Sequence, residues 1–313
     1  MNTHQPIIPP VDRSLLAAEL NEKTFLRHAN NGTNEIYVVN AHNSPHTLRE
    51  IGRVRELTFR ASGGGTGLDC DLDDYDTKER CYEQLIVWNP EDKEIVGGYR
   101  FIRCEKGRLA GGEYDLVTTE LFEFSDRFKN EFLPATIELG RSFVQPMYQP
   151  SASNRKGLFS LDNLWDGLGA LVIDNDDIRY FYGKVTIYGH YNMLARDLIY
   201  RFMEHYFPDP DKLVKPIYPV TAQHNTDAFA KSLQGLAYKD GHRLLNQLVR
   251  EQDEFIPPLV NSYMNLSATM RSFGTSENKH FGDVFETGIL VTIADIYPTK
   301  KERHVNSYTP KKK

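Results

Sequence analysis

The sequence predicts an α/β protein, in which helices flank the strands of a mixed, twisted central sheet. Two strand-like runs, 84–88 and 94–103, lie close enough along the chain to form a hairpin. Two later runs, 136–144 and 179–187, are rich in large apolar and aromatic residues, which suit a buried strand. Before these runs, apolar residues recur at helical spacing over 46–60. The presence of strand-like runs and of helical spacing in one chain is the basis of the predicted fold class.

Start signals place the first elements of the chain. Asp12 and Ser14 predict the N-terminus of a short helix, and a strand is expected over Glu35–Val39. Ser44 is a suitable N-cap, and Pro45 after it suits the first helical position. The helix predicted by the apolar spacing therefore begins at this dipeptide.

Later elements follow similar signals. Residues 122–132 are expected to form a short helix or an extended segment, and Asp162 or Ser160 is expected to cap a helix through Ile173. The remaining expected elements are helices over 191–206, 242–250 and 258–268, and a last strand over 286–296.

The ends of the chain differ in composition from its middle. Residues 1–13 are expected to be a flexible lead-in, and 14–297 a single domain. Within that domain, 208–250 is an unplaced insertion or helical extension. Residues 298–313 are basic and are expected to be disordered.

The composition limits the possible functions. A net charge of −6 in 313 residues argues against a protein that mainly binds nucleic acid. Three cysteines, an odd number with no C-x-x-C pair, suggest reduced thiols and a cytoplasmic location. No charged segment followed by an apolar run begins the chain, and no apolar stretch approaches the roughly 20 residues of a membrane span. We therefore expect at most peripheral contact with the inner membrane.

Two loops resemble ligand-binding motifs without matching them. Gly63–Gly67 lacks the Gly-Lys-Ser/Thr of a phosphate loop and the final glycine of a dinucleotide fingerprint, so a flexible hinge is the simpler interpretation. The acidic run 69–76 lacks the glycine and the terminal glutamate of an EF-hand. It is either a solvated acidic loop or part of a site, and we expect no metal.

Charged residues interrupt the strand pattern at the centre of the run 136–144. Glu138 and Arg141 are three residues apart, so on a regular strand their side chains point to opposite faces. A β-bulge at Gly140 would return both to one cleft, and would release a backbone N–H that can bind an oxyanion. The alternative is an exposed ion pair on a surface strand.

Four short motifs occur in a fixed order along the chain: Arg55-x-x-x-Phe59, Asp73-Asp74-Tyr75-Asp76, Gly97-Gly98-Tyr99-Arg100 and Glu138-Leu139-Gly140-Arg141. This ordered set resembles the GNAT-fold N-acyltransferases that take acyl chains from acyl carrier protein. The resemblance spans about residues 45–297 and implies the acyl-CoA N-acyltransferase-like (GNAT) fold.

Later motifs favour the branch of aminolipid N-acyl amino acid synthases, which includes glycine and ornithine N-acyltransferases. Leu164-Trp165-Asp166-Gly167, Tyr182-Gly183 and Ile256-Pro257-Pro258-Leu259-Val260 resemble that branch, as does Tyr263-Met264-Asn265-Leu266. The acyl-homoserine-lactone synthases are more distant, since they carry a tryptophan where this chain has Gly63–Gly67. The segment 208–250 matches neither branch.

The resemblance implies roles for individual residues. Glu138 is the expected base, directly or through a water, with a structural partner of Arg141 or Arg100 as the alternative. Arg100 and Arg141 either bind the carboxylate of the acceptor or pair with acidic residues. Tyr191 is expected to protonate the leaving thiolate. Arg55, with Asp73 and Asp76, is expected to organise an N-terminal lid. Phe59 either packs in the core, the commoner case, or forms a wall of the substrate site.

The same resemblance implies the donor. No bound cofactor is expected, because the acyl-phosphopantetheine of acyl carrier protein is itself the substrate. Its arm is expected between strands 136–144 and 179–187, with the phosphate near the loop before the next helix. The expected contacts are Val144, Arg155, Lys156 and Gly157. A local basic patch would bind the acidic carrier, and its candidates are Lys184, Arg196, Arg201, Lys212 and Lys215.

The expected function is transfer of a long, 3-hydroxylated acyl chain to the amine of a small amino acid, glycine first, in aminolipid synthesis. The expected partners are acyl carrier protein, the acceptor and a downstream O-acyltransferase. Three alternatives stay open: an ornithine N-acyltransferase, a homoserine-lactone-type signal synthase and a catalytically idle GNAT-like binding module.

Overall fold

The chain forms two compact units in the computed structural model. The first comprises 1–107, 137–178 and 297–313, and the second 108–136 and 179–296. Residues 4–149, 157 and 159–310 are described. The single domain over 14–297 stays a prediction.

The helices of the described residues are α1 Arg13–Glu19, α2 Pro45–Ala61, α3 Asp74–Thr77, α4 Ser160–Asp174, α5 Met193–Tyr206, α6 Asp227–Leu233, α7 Tyr238–Arg250, α8 Pro258–Met264 and α9 Pro298–His304. The strands are β1 Phe25–His28, β2 Glu35–Val39, β3 Glu83–Asn89, β4 Glu94–Arg103, β5 Phe122–Phe124, β6 Thr136–Val144, β7 Tyr180–Ile187, β8 Val214–Pro216, β9 Arg271–Asn278 and β10 Val284–Thr292.

The first unit contains an antiparallel sheet in the order β1-β2-β3-β4-β6. The predicted bounds of β2, β4 and β6 are confirmed, and β3 is one residue longer at each end. Helix α4 packs on one face of the sheet, where a Cβ on Gly167 would lie 2.7 Å from Leu85 Cδ2. Gln84 and Arg100, paired across β3 and β4, point to the opposite face. That second face carries the charged network described below.

A glycine pair lets β4 approach its neighbours closely. A Cβ on Gly97 would lie 2.4 Å from the carbonyl oxygen of Phe143 in β6. A Cβ on Gly98 would lie 2.8 Å from the carbonyl oxygen of Leu85 in β3. These contacts explain why two glycines precede Arg100.

The second unit has its own antiparallel strands, in the order β7-β10-β9, and a separate pair of β5 with β8. The segment 208–250 supplies β8, α6 and α7, and α5 packs against both of these helices. A helix was predicted only from 242, so α7 begins four residues earlier than expected.

The N-terminal segment is tied down rather than loose. Gln5 N donates to Gly67 O at 2.9 Å, and Val11 N donates to the buried carboxylate of Glu50, also at 2.9 Å. Asp12 caps α1 as predicted, since its side chain accepts from Ser14 N. The expectation of a flexible lead-in is therefore wrong for residues 4–13, while 1–3 lie outside the described residues.

The C-terminal segment also folds. His304, in α9, is buried and its Nδ1 lies 2.7 Å from Asp166 Oδ1 of α4. A Cβ on Gly169 would lie 2.1 Å from the carbonyl oxygen of His304, so the two helices touch through a glycine. The expectation of disorder is wrong for 298–310, because a buried side chain anchors this basic segment. Lys311–Lys313 lie outside the described residues.

The glycine-rich loop already holds an anion. The buried carboxylate of Glu56 accepts from Thr66 N, Thr66 Oγ1 and Gly67 N at 2.7–3.0 Å. These amides therefore bind a carboxylate of the same chain. The expectation of a flexible hinge at this loop is wrong.

Ser44 is the N-cap residue of α2 and Pro45 its first residue, as predicted, whereas the predicted cap of α4 is wrong because Phe159 is the residue at that position. Ser44 makes no capping hydrogen bond to α2; Glu19 accepts from the amides of His46 and Thr47 at 3.0 and 2.7 Å instead. Helix α4 begins at Ser160, whose hydroxyl donates to Tyr148 O at 3.1 Å. The Glu19 carboxylate thus accepts the first-turn amides of α2 in place of the Ser44 hydroxyl.

Candidate active site

Arg55 is the most deeply buried member of a charged network in the first unit. Helix α2 turns it inward, and its side chain has no exposed surface. Its Nε donates to Asp71 Oδ2 at 2.9 Å, and its two terminal nitrogens donate to Asp76 at 3.2 and 3.3 Å. Two carboxylates therefore balance this buried guanidinium.

Arg100 joins the same carboxylates from β4. Its Nη1 lies 2.7 Å from both oxygens of Asp73 and donates to Asp76 Oδ2 at 3.0 Å. Gln84 Nε2 adds a bond of 2.9 Å to Asp76 Oδ1. Asp73 also caps α3, since it accepts from the amide of Asp76. The short acidic helix α3 is thereby fixed to the sheet.

The arginines keep the buried carboxylates ionised. Burial by itself would raise the pKa of Asp71, but the charges of Arg141 and Arg55 outweigh it and lower that pKa below its usual range. For Asp76 the effect of burial is likewise outweighed, by Arg55 and Arg100, and the pKa falls well below its usual range. These two residues are therefore not the solvated loop that was one interpretation of the acidic run.

The irregularity in β6 is a β-bulge, as predicted. The residue with the unusual backbone conformation, however, is Arg141 rather than Gly140. The register with β4 passes from Gly98↔Phe143 to Arg100↔Gly140, so three steps on β6 oppose two on β4. Arg141 adopts φ 47°, the left-handed conformation that usually requires glycine, while Gly140 is not among the glycines with positive φ.

The bulge returns Arg141 to the face that Glu138 occupies. Its Nε lies 3.0 Å from Asp71 Oδ2, and its Nη2 lies 3.9 Å from Asp73 Oδ2. The Arg141 side chain is 13% exposed, against 0% for Arg55 and 2% for Arg100. Arg141 is therefore the guanidinium of the network that solvent reaches.

Glu138 lies beside this network in β6 and is buried. Its carboxylate accepts a hydrogen bond from the hydroxyl of Tyr82, which comes from the segment before β3. The guanidinium of Arg100 lies over the ring of Tyr82, 5.3 Å from its centroid. Glu138, Arg141, Arg100, Asp73 and Asp76 therefore lie in one cluster of the first unit.

Comparisons with known proteins identify the family of this chain. The profile of the Acetyltransferase (GNAT) domain matches residues 54–156. A glycine N(alpha)-acyltransferase of Bacteroides thetaiotaomicron is 48% identical over 305 residues, which cover 97% of this chain and 90% of that protein. A glycine N(alpha)-acyltransferase of Phocaeicola vulgatus is 47% identical over 309 residues, which cover 97% of this chain and 94% of that protein.

The chain belongs to the GNAT family of N-acyltransferases. It is therefore an enzyme that transfers acyl groups, and the predicted fold class and family resemblance are confirmed. The alternative of a homoserine-lactone-type synthase has no support among these relatives.

The remaining predicted residues of this N-acyltransferase have varied surroundings. Phe59 is buried in the first unit, as a core side chain would be. Tyr191 belongs to the second unit, where its hydroxyl donates to the carbonyl oxygen of Phe255 at 3.0 Å. Burial raises the pKa of Tyr191 well above its usual value, with a smaller contribution from Glu254. Its role as an acid stays a prediction.

The predicted donor loop is only partly described. Arg155 and Lys156 lie outside the described residues. Gly157 is buried, and a Cβ there would lie 2.0 Å from Tyr148 O, so the glycine permits a close backbone contact. Val144 is half-buried at the end of β6, opposite Gly97.

One member of the expected basic patch is misplaced. Arg196 is fully buried on the inner face of α5, where it donates to Asp197 Oδ1 at 2.7 Å and lies over the Phe285 ring. It cannot contact a partner protein. Lys184 is mostly buried beside Glu286, while Lys212 and Lys215 are exposed.

Three residues of the site were missed from sequence. Asp71 was one of five aspartates in a run, and nothing in its neighbours set it apart. Tyr82 immediately precedes β3 and Gln84 lies at its start, and this spacing of two residues, which puts both side chains on one face, was the signal that could have found them. In the described part of the chain, no group of three His, Cys, Asp or Glu is placed to hold a metal.

Proposed function

We propose that this enzyme transfers a long, 3-hydroxylated fatty acyl chain from acyl carrier protein to the amine of glycine. The observation that carries the proposal is the 48% identity, over nearly the full chain, with a relative named for glycine as its substrate. The family resemblance in the motifs supports acyl carrier protein as the donor.

Arg141 is the proposed site for the carboxylate of the acceptor. Its guanidinium is the exposed end of the network, and an arginine can bind a carboxylate through two parallel hydrogen bonds. Asp71, which holds Arg141 Nε, would fix the guanidinium in one orientation. Arg55 and Arg100 are too buried for this task and are proposed to support Asp71, Asp73 and Asp76.

Glu138 is the proposed base. A free amino acid is mostly an ammonium at neutral pH, and its proton must leave before the nitrogen can attack. Glu138 would take that proton, and the amine would form a bond to the thioester carbonyl carbon. A backbone N–H at the bulge of Arg141 would bind the oxyanion of the tetrahedral intermediate.

Collapse of the intermediate breaks the C–S bond and releases the phosphopantetheine thiolate. Tyr191 is the proposed proton donor to this thiolate, and the second proton that the attacking nitrogen loses would restore its phenol. The phosphate of the donor arm is proposed to meet Arg155 and Lys156, with Val144 along the arm. The exposed residues Lys212 and Lys215 are proposed contacts of the acidic carrier protein.

The product would leave a 3-hydroxyl free on its single acyl chain. We propose that an O-acyltransferase acts next and esterifies this hydroxyl. Both steps would take place in the cytoplasm or at the inner membrane surface. No helix of the described residues is long and apolar enough to cross a membrane.

Mass spectrometry of lipid extracts tests the acceptor. The protein would be expressed in a bacterial host, with Glu138→Gln as the matched control. An N-acylglycine series present with the wild type and reduced with the control is the expected result. An N-acylornithine series, or no new acylated amine, would contradict glycine as the acceptor.

The donor is tested with purified protein. Palmitoyl and 3-hydroxypalmitoyl groups would be offered on acyl carrier protein and on coenzyme A at equal concentration. We expect faster turnover from the carrier protein, and a loss of that advantage when salt screens the charged encounter. Equal rates on both carriers at all salt concentrations would exclude the proposed partner.

A further inference from the structure

Tyr82 is a buried tyrosine whose surroundings fix its ring on more than one side. It is 1% exposed, and its hydroxyl donates to Glu138 Oε2. The Arg100 guanidinium lies over the ring at 5.3 Å from the centroid, and the Tyr75 ring meets it edge-on at 5.7 Å. A cation above an aromatic ring and an edge-to-face aromatic pair are both attractive contacts.

The backbone of Tyr82 is fixed to the same acidic helix. Its amide donates to the carbonyl oxygen of Tyr75 at 2.8 Å. Tyr75 belongs to α3, which Asp73 caps and which Arg100 binds through Asp73 and Asp76. The charged network therefore sets the position of the Tyr82 hydroxyl as well as the position of the arginines.

We propose that Tyr82 is a positioning residue for Glu138, and that its hydrogen bond to Oε2 fixes the orientation of the carboxylate that takes the proton of the acceptor ammonium. The inference rests on the proposed function of Glu138 as the base. The phenol keeps its proton throughout, and the proton that moves is the one from the ammonium to Glu138. Donation by the phenol stabilises the ionised carboxylate, which is the form that can act as a base.

Tyr82→Phe removes the hydroxyl and keeps the ring under Arg100. We expect kcat to fall by about 10- to 100-fold, the usual effect of losing a hydrogen bond to a charged group. The KM for glycine should change by less than about twofold, since Arg141 binds the acceptor carboxylate. The acidic limb of the pH–rate profile should move to higher pH, because the ionised carboxylate has lost a donor.

Tyr37→Phe is the matched control. Tyr37 is also buried in the first unit, and its hydroxyl donates to Glu35 Oε2 at 2.7 Å. The control removes the same kind of hydrogen bond away from Glu138, so it should leave both kcat and the acidic limb unchanged. A 3-fluorotyrosine at Tyr82 keeps the hydroxyl and makes it a stronger donor, so it should move the limb to lower pH.

The inference would be overturned if Tyr82→Phe lowered the melting temperature without moving the acidic limb, or left turnover unchanged. If Tyr82→Phe failed to fold, an unmoved limb in the fluorotyrosine protein would overturn it equally. Failure of the proposed function is a separate result, seen in the wild type as the absence of acylated glycine.

Discussion

At the scale of single residues, Arg55 shows how a buried charge becomes tolerable. Its guanidinium has no exposed surface, and Asp71 and Asp76 accept its hydrogen bonds. A charge in such a place is stable only with its partners, so removing one member leaves the others uncompensated.

Arg55→Ala should therefore destabilise the protein by about 3–5 kcal/mol and lower its melting temperature by several degrees. Turnover should fall as well, because α3 and Arg141 depend on the same carboxylates. Arg103→Ala is the control, since Arg103 and Asp177 form an exposed pair. Differential scanning calorimetry measures both variants. An unchanged melting temperature with wild-type turnover in Arg55→Ala would mean that the network does not stabilise the fold.

Residue-scale prediction succeeded where residue type carried the information. The grouping of Arg55 with Asp73 and Asp76 could be predicted, because the family resemblance of the motifs implies it. The left-handed conformation of Arg141 could not be predicted, because the local sequence favours Gly140 as the position of a bulge. The contact with Asp71, some 70 residues earlier in the chain, holds Arg141 in that conformation.

At the scale of elements, β6 shows that a glycine beside a β-bulge need not be the residue that the bulge requires. A Cβ on Gly140 meets nothing within 4 Å, whereas a Cβ on Gly97 in β4 would lie 2.4 Å from Phe143 O. Gly97 is thus the glycine that the pairing of these strands requires.

Gly140→Ala should leave the free energy of unfolding within about 1 kcal/mol of the wild type. Gly97→Ala should cost well over 1 kcal/mol, because the backbone of β6 must shift. Urea unfolding of the two variants measures the difference. A Gly140→Ala protein as unstable as Gly97→Ala would place the required glycine back at the bulge.

The C-terminal helix α9 is a second element whose role differs from expectation. His304 and Asp166 bring it onto α4, and Asn30 Nδ2 donates to Asp166 Oδ1 at 2.7 Å in the same cluster. Basic composition suggested disorder, but one buried histidine and a small partner, Gly169, outweighed it.

Deletion of 298–313 should lower the melting temperature, since it exposes the α4 surface and leaves Asp166 without His304. Deletion of Lys311–Lys313 alone is the control and should have no effect on stability. Thermal unfolding followed by circular dichroism compares the two. Equal melting temperatures for both deletions would show that the docked helix does not stabilise the fold.

Element-scale prediction was most accurate for strands with clear apolar patterns. β2, β4 and β6 were predicted with their observed bounds, whereas β9 was missed. The residues of β9 are mostly polar, so period-two alternation is hidden there, and pairing with β10 sets its conformation instead.

At the scale of the whole molecule, stability should depend on pH through the buried aspartates. The pKa values of Asp71 and Asp76 are lowered in the folded protein relative to the unfolded chain, where an aspartate titrates near about 4. Their contribution is therefore present above about pH 4 and is lost as the pH falls towards the folded values.

Asp76→Asn should lower the free energy of unfolding at neutral pH and flatten its decrease between about pH 5 and 3. Asp177→Asn, at an exposed position, should keep the wild-type slope. Urea unfolding at several pH values gives the slopes. A wild-type slope in Asp76→Asn would mean that other groups cause the acid sensitivity.

Glu138 and Arg141, on either side of Gly140, have different proposed tasks, Glu138 as a base and Arg141 as an anion-binding group. Glu138→Gln keeps the shape of the side chain and removes the base, and Arg141→Lys keeps the charge and loses the planar fork. The pH–rate profile of glycine acylation by these two variants tests the assignment most directly.

We expect Glu138→Gln to lose about 10²–10⁴ in turnover near neutral pH, with the loss shrinking as the pH rises and free amine becomes abundant. The loss in Arg141→Lys should persist across the same pH range, because acceptor or oxyanion binding does not depend on the proton of the amine. A loss in Glu138→Gln that is equal at all pH values would contradict the account, and would make Glu138 a structural residue of the site.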